Sequence, residues 1–220
     1  MDKSIYLVRH GQASFGAQNY DQLSSLGASQ SQVLGEALTK RHVSFDTTFS
    51  GTLARHQQTA NHAAVKVQEE SSNWNEFDHE GIFRLLMSHR RVTQEQASEF
   101  SPKQILKFFS EALEFWSSQK ELDADLETWP QFKQRVQLAL DETVAKTTSS
   151  SLVFTSGGPI SVVIGHLMGF TRGQILALNW QLVNTGITKL VVRNERPQVS
   201  TVNEYVHLET QSDSSLITYK

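Results

Sequence analysis

Residues 9–11 are Arg, His and Gly, placed at the end of the apolar run Ile5-Tyr6-Leu7-Val8. A guanidinium offers a planar fork that matches a phosphate, and an unprotonated imidazole nitrogen can attack phosphorus. Glycine reaches backbone conformations closed to other residues and lets the main chain come close to a ligand. The run before these three reads as a buried strand, and ligands of open α/β sheets bind beyond the carboxyl ends of the strands. A strand that delivers Arg9, His10 and Gly11 to that end points to phosphoryl chemistry carried on histidine.

Two other segments share this organisation. SGTLARHQQTA (50–60) follows a strand-like stretch and sets Arg55 in the first turns of a helix. FTSGGPI (154–160) follows another and presents Ser156, Gly157 and Gly158 at a helix start. Main-chain amides and the helix dipole favour an anion there. If the three strands are neighbours, two arginines, one histidine and a glycine-rich helix entry make a phosphate pocket. Gln12 and Ser14, just past the hinge, are further candidates to line it.

The elements that must position these residues alternate. Strands are expected at 5–8, 43–51, 151–158, 185–194 and 200–208. Helices are expected from about Ser25, over 52–67 with Leu53, Ala60, Ala63, Ala64 and Val67 at near-helical spacing, and from Pro159 to His166. Residues 12–24 read as a loop. This alternation predicts an α/β fold: a three-layer arrangement with a mostly parallel sheet and helices on both faces. Residues 82–146 are long, charged and helical, with apolar stripes in 104–119 and 132–146 separated by Glu127-Thr-Trp-Pro130. The interval 82–130 is expected as a helical cap insertion within a single domain over 1–220. Phe108, Phe109, Phe115 and Trp116 are spaced for packing inside it.

Composition narrows the partners. A formal charge of −3 and a pI near 6.2 argue against a nucleic-acid protein. The chain has no cysteine, so disulfides, thiol nucleophiles and thiolate-bound metals are excluded. The apolar stretch near the N-terminus is too short for a secretory signal, and no window reaches the ~18 apolar residues of a membrane span. The expectation is a cytoplasmic protein with no membrane or nucleic-acid partner. Oligomeric state leaves no mark in the sequence.

Set in order along the chain, these motifs resemble a known family. They are Arg9-His10-Gly11, Leu23-Ser24-x-x-Gly27-x-x-Gln30, and Ser50-x-x-x-x-Arg55-x-x-x-Thr59-Ala60. Trp74-Asn75-Glu76-Phe77-Asp78 before Glu80-Gly81, the Ser156-Gly157-Gly158 turn, Asn203 and His207-Leu208 extend the match over most of the chain. The set resembles the histidine phosphatase superfamily, also called the phosphoglycerate mutase-like family. The resemblance implies that His10 is the nucleophile that becomes phosphohistidine and that Arg9 and Arg55 bind the phosphate oxygens. It implies too that Glu76 protonates the leaving oxygen and then activates water. The substrate is then a small phosphorylated molecule, and covalent catalysis of this kind calls for no metal and no cofactor.

These roles fit the chemistry. An attacking imidazole must be neutral at the reacting nitrogen, with its other nitrogen held as a donor, as to a backbone carbonyl. Fixed cations offset charge on the phosphoryl oxygens in the transition state. An acid acting near neutral pH needs a raised pKa.

One position departs from the family. Ser156 stands where members carry a second histidine, and replacing a charge-assisted donor by a hydroxyl costs roughly 10- to 30-fold if nothing compensates. His166 is about ten helical residues, some 15 Å, further along and cannot substitute easily. His79 is the candidate for a migrated imidazole by proximity to Glu76. His42, His56, His62, His89 and His207 are expected in surface or structural roles.

The expected activity is hydrolysis of a phosphomonoester. The alternatives are a mutase that moves the phosphoryl group, or a phosphate-binding regulatory module whose turnover was lost with the second histidine. Residues 12–24 hold no Lys or Arg to grip a second anionic group, which favours hydrolysis over transfer.

Overall fold

The computed structural model describes residues 2–14, 21–122 and 125–219. They fall into two compact units, residues 1–75 with 135–220, and residues 76–134.

The first unit is built on a six-stranded mixed sheet. Its chain begins with strand β1 (Lys3–Arg9), helix α1 (Ser25–Lys40), strand β2 (Thr47–Ser50), helix α2 (Ala54–His62) and a two-residue strand β3 (Glu69–Glu70). The second unit contributes α3 (His79–Arg90), α4 (Gln94–Ser98) and α5 (Pro102–Ser118). Helix α6 (Trp129–Lys146) leads into β4 (Ser150–Thr155), α7 (Gly157–Met168), α8 (Arg172–Asn179), β5 (Ile187–Arg193), β6 (Arg196–Glu204) and α9 (Val206–Glu209). Spatial order is β3-β2-β4-β1-β5-β6. β1 and β2 both pair in parallel with β4, β3 pairs in parallel with β2, and β5 and β6 close the far edge antiparallel.

Alternation along the central strands decides which side chain meets which layer. Tyr6 and Val8 of β1 and Leu152 and Phe154 of β4 pack with Leu34 and Leu38 of α1 and with Ala60 and Ala63 at α2. The intervening residues turn to the opposite face. There the hydroxyl of Ser151 lies 2.8 Å from that of Thr147, just past the end of α6. Helices therefore cover both faces, as the alternation predicts. Ile5, Leu7, Val8, Leu152, Val153 and Phe154 are wholly buried, so the strands that carry the site are the rigid centre of the unit.

The second unit has its own aromatic core. Phe77 lies 5.3 Å from Trp116 and edge-on to Phe132 at 5.5 Å, ring centre to ring centre, and Trp129 meets Trp116 edge-on at 5.5 Å. Trp116 Nε1 donates to the Glu127 carbonyl at 2.7 Å, so this buried indole keeps its hydrogen bond. Phe108 and Trp116 are buried, in keeping with a packing role.

Three local expectations need correction. Residues 206–209 are helical, not part of a strand over 200–208: β6 stops at Glu204, after Asn203 takes a left-handed conformation (φ 53°). Helix α2 ends at His62, short of Val67, and its buried face is Arg55, His56, Thr59 and Ala60 instead of an apolar stripe. Within the loop expected at 12–24, Ala13 and Leu23 form an antiparallel bridge, while residues 15–20 lie outside the described residues.

Candidate active site

Sheet order explains why the three segments meet. β4 lies between β1 and β2, with Thr155 opposite Arg9 and Phe154 opposite Ser50. Neighbouring strands are about 4.8 Å apart. The residues that leave these strands therefore emerge side by side: His10 after β1, Ser156 after β4, and the Gly51 turn into α2 after β2.

His10 is buried (5% exposed). Its amide donates to the Thr155 carbonyl at 2.9 Å, and its own carbonyl accepts from Asn184 Nδ2 at 3.0 Å. Its ring Nδ1 is 2.7 Å from the Gly11 carbonyl oxygen. Burial, then the charges of Arg55 and Arg9 and the neighbouring His56, hold the imidazole well below its ordinary pKa. A neutral imidazole has one N–H, and a carbonyl can only accept, so that proton sits on Nδ1. Nε2 is left with its lone pair, the state an attacking nitrogen requires.

Gly11 serves differently from expectation. It does not use the left-handed region; among the described glycines only Gly169 does. What Gly11 supplies is absence of bulk, since a Cβ there would fall 2.5 Å from the Gly27 carbonyl oxygen of α1. Gly27 reciprocates, its added Cβ falling 2.2 Å from the Gln12 carbonyl oxygen. Backbone meets backbone here, and Thr59 of α2 accepts the Gly11 amide at 3.0 Å.

Arg55 is buried (5% exposed), and its charge is felt by both His10 and His56. Its Nη1 donates to Asp21 at 2.7 Å, and the other Asp21 oxygen accepts the Ala54 amide at 2.8 Å. Asp21, which the sequence reading passed over, thus caps α2 and fixes Arg55 together. Arg9 donates through Nη1 to the carbonyls of Leu182 and Tyr219. The C-terminal segment also reaches the hinge through Gln30, whose Nε2 donates to Leu216 and whose Oε1 accepts the Gln12 amide.

Ser156 occupies the N-cap position of α7, yet its hydroxyl caps nothing. It lies 2.6 Å from Nε2 of His56, a wholly buried ring whose centre is 5.7 Å from that of His10. An imidazole beside Ser156 is therefore supplied by His56, which is buried and not a surface residue. Gly157 packs against Asn179 of α8, with Arg9 Nε next nearest among side chains. The Gln12 side chain accepts from the Ser24 hydroxyl at 2.9 Å, and Ser14 is half-buried with its amide on the Gln22 carbonyl.

Glu76 opens the second unit, and its Oε1 accepts from the Phe77 amide at 3.2 Å. The residue before it is anchored within the first unit. Asn75 exchanges hydrogen bonds with Thr52 at 2.7 Å each way, and its carbonyl accepts from Arg135 at 2.7 Å. Among the described residues no group of three or more His, Asp or Glu side chains could hold a metal ion, and no helix is long and apolar enough to cross a membrane.

A family model for the histidine phosphatase superfamily (branch 1) matches residues 5–205. A 2,3-bisphosphoglycerate-dependent phosphoglycerate mutase of Methylocella silvestris is 38% identical over 65 residues, 27% of this chain. That match spans about a third (32%) of the relative's length. Among solved structures, a phosphoserine phosphatase of Entamoeba histolytica in complex with phosphoserine is 20% identical, with a TM-score of 0.63 over 94% of this chain and 99% of that one. A phosphoglycerate mutase from Bacillus anthracis gives 20% identity and 0.63 over 94% and 95%. A mycobacterial glucosyl-3-phosphoglycerate phosphatase in complex with VO3 gives 18% and 0.63 over 92% and 100%. At these identities the structural likeness is one of fold.

Proposed function

The chain belongs to the histidine phosphatase superfamily, and we propose that it hydrolyses a small phosphomonoester through a phosphohistidine on His10. The observation that carries this reading is the His10 tautomer. A buried, neutral imidazole donates from Nδ1 to the Gly11 carbonyl and so keeps Nε2 unprotonated.

In the first step the Nε2 lone pair forms a bond to phosphorus as the ester P–O bond breaks, and Glu76 gives its proton to the departing oxygen. In the second, the Glu76 carboxylate takes a proton from water, whose oxygen bonds to phosphorus as the P–Nε2 bond breaks. Inorganic phosphate leaves and His10 returns neutral. Arg55, fixed by Asp21, and Arg9 supply positive charge to the phosphoryl oxygens, where preorganised donors gain most. In this reading Ser156 and Gly157 at the start of α7, and Gln12 and Ser14 after the hinge, are further phosphate-binding residues.

Purified protein tests this with p-nitrophenyl phosphate and with a phosphoglycerate. Release of inorganic phosphate from the first, abolished by His10→Ala, is the expected result. Movement of phosphate between positions of the phosphoglycerate with little release would establish the mutase instead. Binding of phosphate without either reaction would leave a regulatory module.

A further inference from the structure

The reading of His10 as phosphoryl carrier leaves two buried imidazoles without a task, His56 and His207, and the His56 ring is the one that neighbours His10. His56 is wholly buried, one residue past Arg55 on α2, where an aliphatic side chain would fill the space at no polar cost. Its Nε2 lies 2.6 Å from Ser156 Oγ, while Nδ1 is buried with no hydrogen-bond partner among the described residues. The neighbourhood is shaped around the ring. An added Cβ at Gly51, the turn out of β2, would fall 2.2 Å from Nδ1. The wholly buried Ser156 is small, and its hydroxyl oxygen lies against His56 Nε2 and does not cap the helix it begins.

The proton count on this ring is fixed by its surroundings. Burial, and then the Arg55 charge, keep the imidazole neutral, so it carries a single N–H. On Nδ1 that hydrogen would face no acceptor, and a buried donor left unmade is costly. On Nε2 it meets the Ser156 oxygen. The serine's own hydrogen is then left over, at a position between the exits of β1 and β2 and against the imidazole that neighbours the His10 ring.

We propose that His56 and Ser156 form a two-membered donor relay to the phosphoryl group: His56 Nε2–H donates to Ser156 Oγ, and the Ser156 hydroxyl donates to a phosphoryl oxygen held at His10. Ser156 is then the residue that touches substrate, and His56 is a positioning residue that orients and polarises it. Chained hydrogen bonds strengthen one another in a water-poor site, so the relay is a better donor than an isolated hydroxyl. It also accounts for a serine at the end of β4: an imidazole reaches this place from α2.

The test is the rate at which radiolabelled p-nitrophenyl phosphate labels His10, read beside the affinity for orthovanadate. Ser156→Ala and His56→Ala each slow labelling about 10- to 100-fold and weaken vanadate binding. Because the two act in series, the double variant is no slower than the slower single one. His56→Gln, whose side-chain amide can offer an N–H near the place of Nε2, recovers labelling to within about fivefold of wild type. Labelling of His56→Ala at the wild-type rate, equal loss in His56→Gln and His56→Ala, or losses that multiply in the double variant overturn the relay. If His56→Ala fails to fold, Ser156→Ala and His56→Gln decide by the same criteria. If the wild type binds vanadate but never labels, the phosphohistidine reading falls, and vanadate affinity in the same variants still judges the relay.

Discussion

Asp21 grips Arg55 and the start of its helix with one carboxylate: Oδ1 accepts from Arg55 Nη1 at 2.7 Å, and Oδ2 accepts from the Ala54 amide at 2.8 Å. The guanidinium is buried while the carboxylate is partly exposed, with 6% and 36% of their side-chain surfaces open. The pair therefore matters for aiming a cation more than for stability, since partly exposed ion pairs contribute little. Asp21→Asn keeps the shape and removes the charge. It lowers kcat/KM for p-nitrophenyl phosphate by about 10-fold while the thermal midpoint moves little. An unchanged kcat/KM would show that Arg55 does not need this support.

The approach of Gly27 to Gln12 is backbone against backbone and has no flexible side chain to yield. Gly27→Ala places a methyl 2.2 Å from the Gln12 carbonyl oxygen and 2.8 Å from its amide nitrogen. The expected outcome is a loss of about 1–3 kcal/mol in denaturant unfolding, with reduced turnover because the displaced loop carries His10. Gly173→Ala, where nothing lies within 4 Å, is the control and changes stability by less than about 1 kcal/mol, in the favourable direction. Equal effects at the two positions would contradict this account of the hinge.

Three buried histidines make the fold sensitive to acid. Burial is the first cause of a lowered pKa in His10, His56 and His207 alike, and at His207 the result is about 4, with Glu204 pushing up and Arg41 down. Above the unfolded value of about 6.5 both states are neutral and the stability is intact. As pH falls below that, the unfolded chain takes up protons first, so stability declines, continuing to about pH 4 for His207. Each histidine contributes a slope of up to about 1.4 kcal/mol per pH unit. Urea midpoints should fall from about pH 7.5 to about pH 5.5, and fall less steeply in His207→Gln. A midpoint that does not change over this range would contradict the burial of these rings as neutral groups.

Much of the site is legible in the chain because its signals are local. A buried strand ending in Arg9-His10-Gly11, and a helix opening at Ser156-Gly157, need only the pairing of β1 and β2 with β4 to be brought together. His56 was illegible for a physical reason. The face of α2 that turns inward lies against a polar site, so its buried residues are Arg55, His56 and Thr59, and a search for apolar periodicity looks past them. A polar stripe at i, i+1 and i+4 beside a suspected site is the signal that would have found it. Asp21 and the braces from Leu182, Leu216 and Tyr219 are contacts between segments far apart in the chain, and no spacing rule encodes them. The end of strand β6 is not legible because Tyr205-Val206-His207-Leu208 alternates like a strand, while Asn203 turns the chain and residues 206–209 form a helix with His207 and Leu208 buried.

The central claim is that Nε2 of His10 takes the phosphoryl group. Rapid quench after mixing with a radiolabelled phosphomonoester, followed by mapping of the modified peptide, tests it most directly. The account predicts one acid-labile, alkali-stable phosphoryl group on His10 that decays to inorganic phosphate and is absent from His10→Ala. Turnover at the wild-type rate in His10→Ala, or label on any other residue, would contradict it.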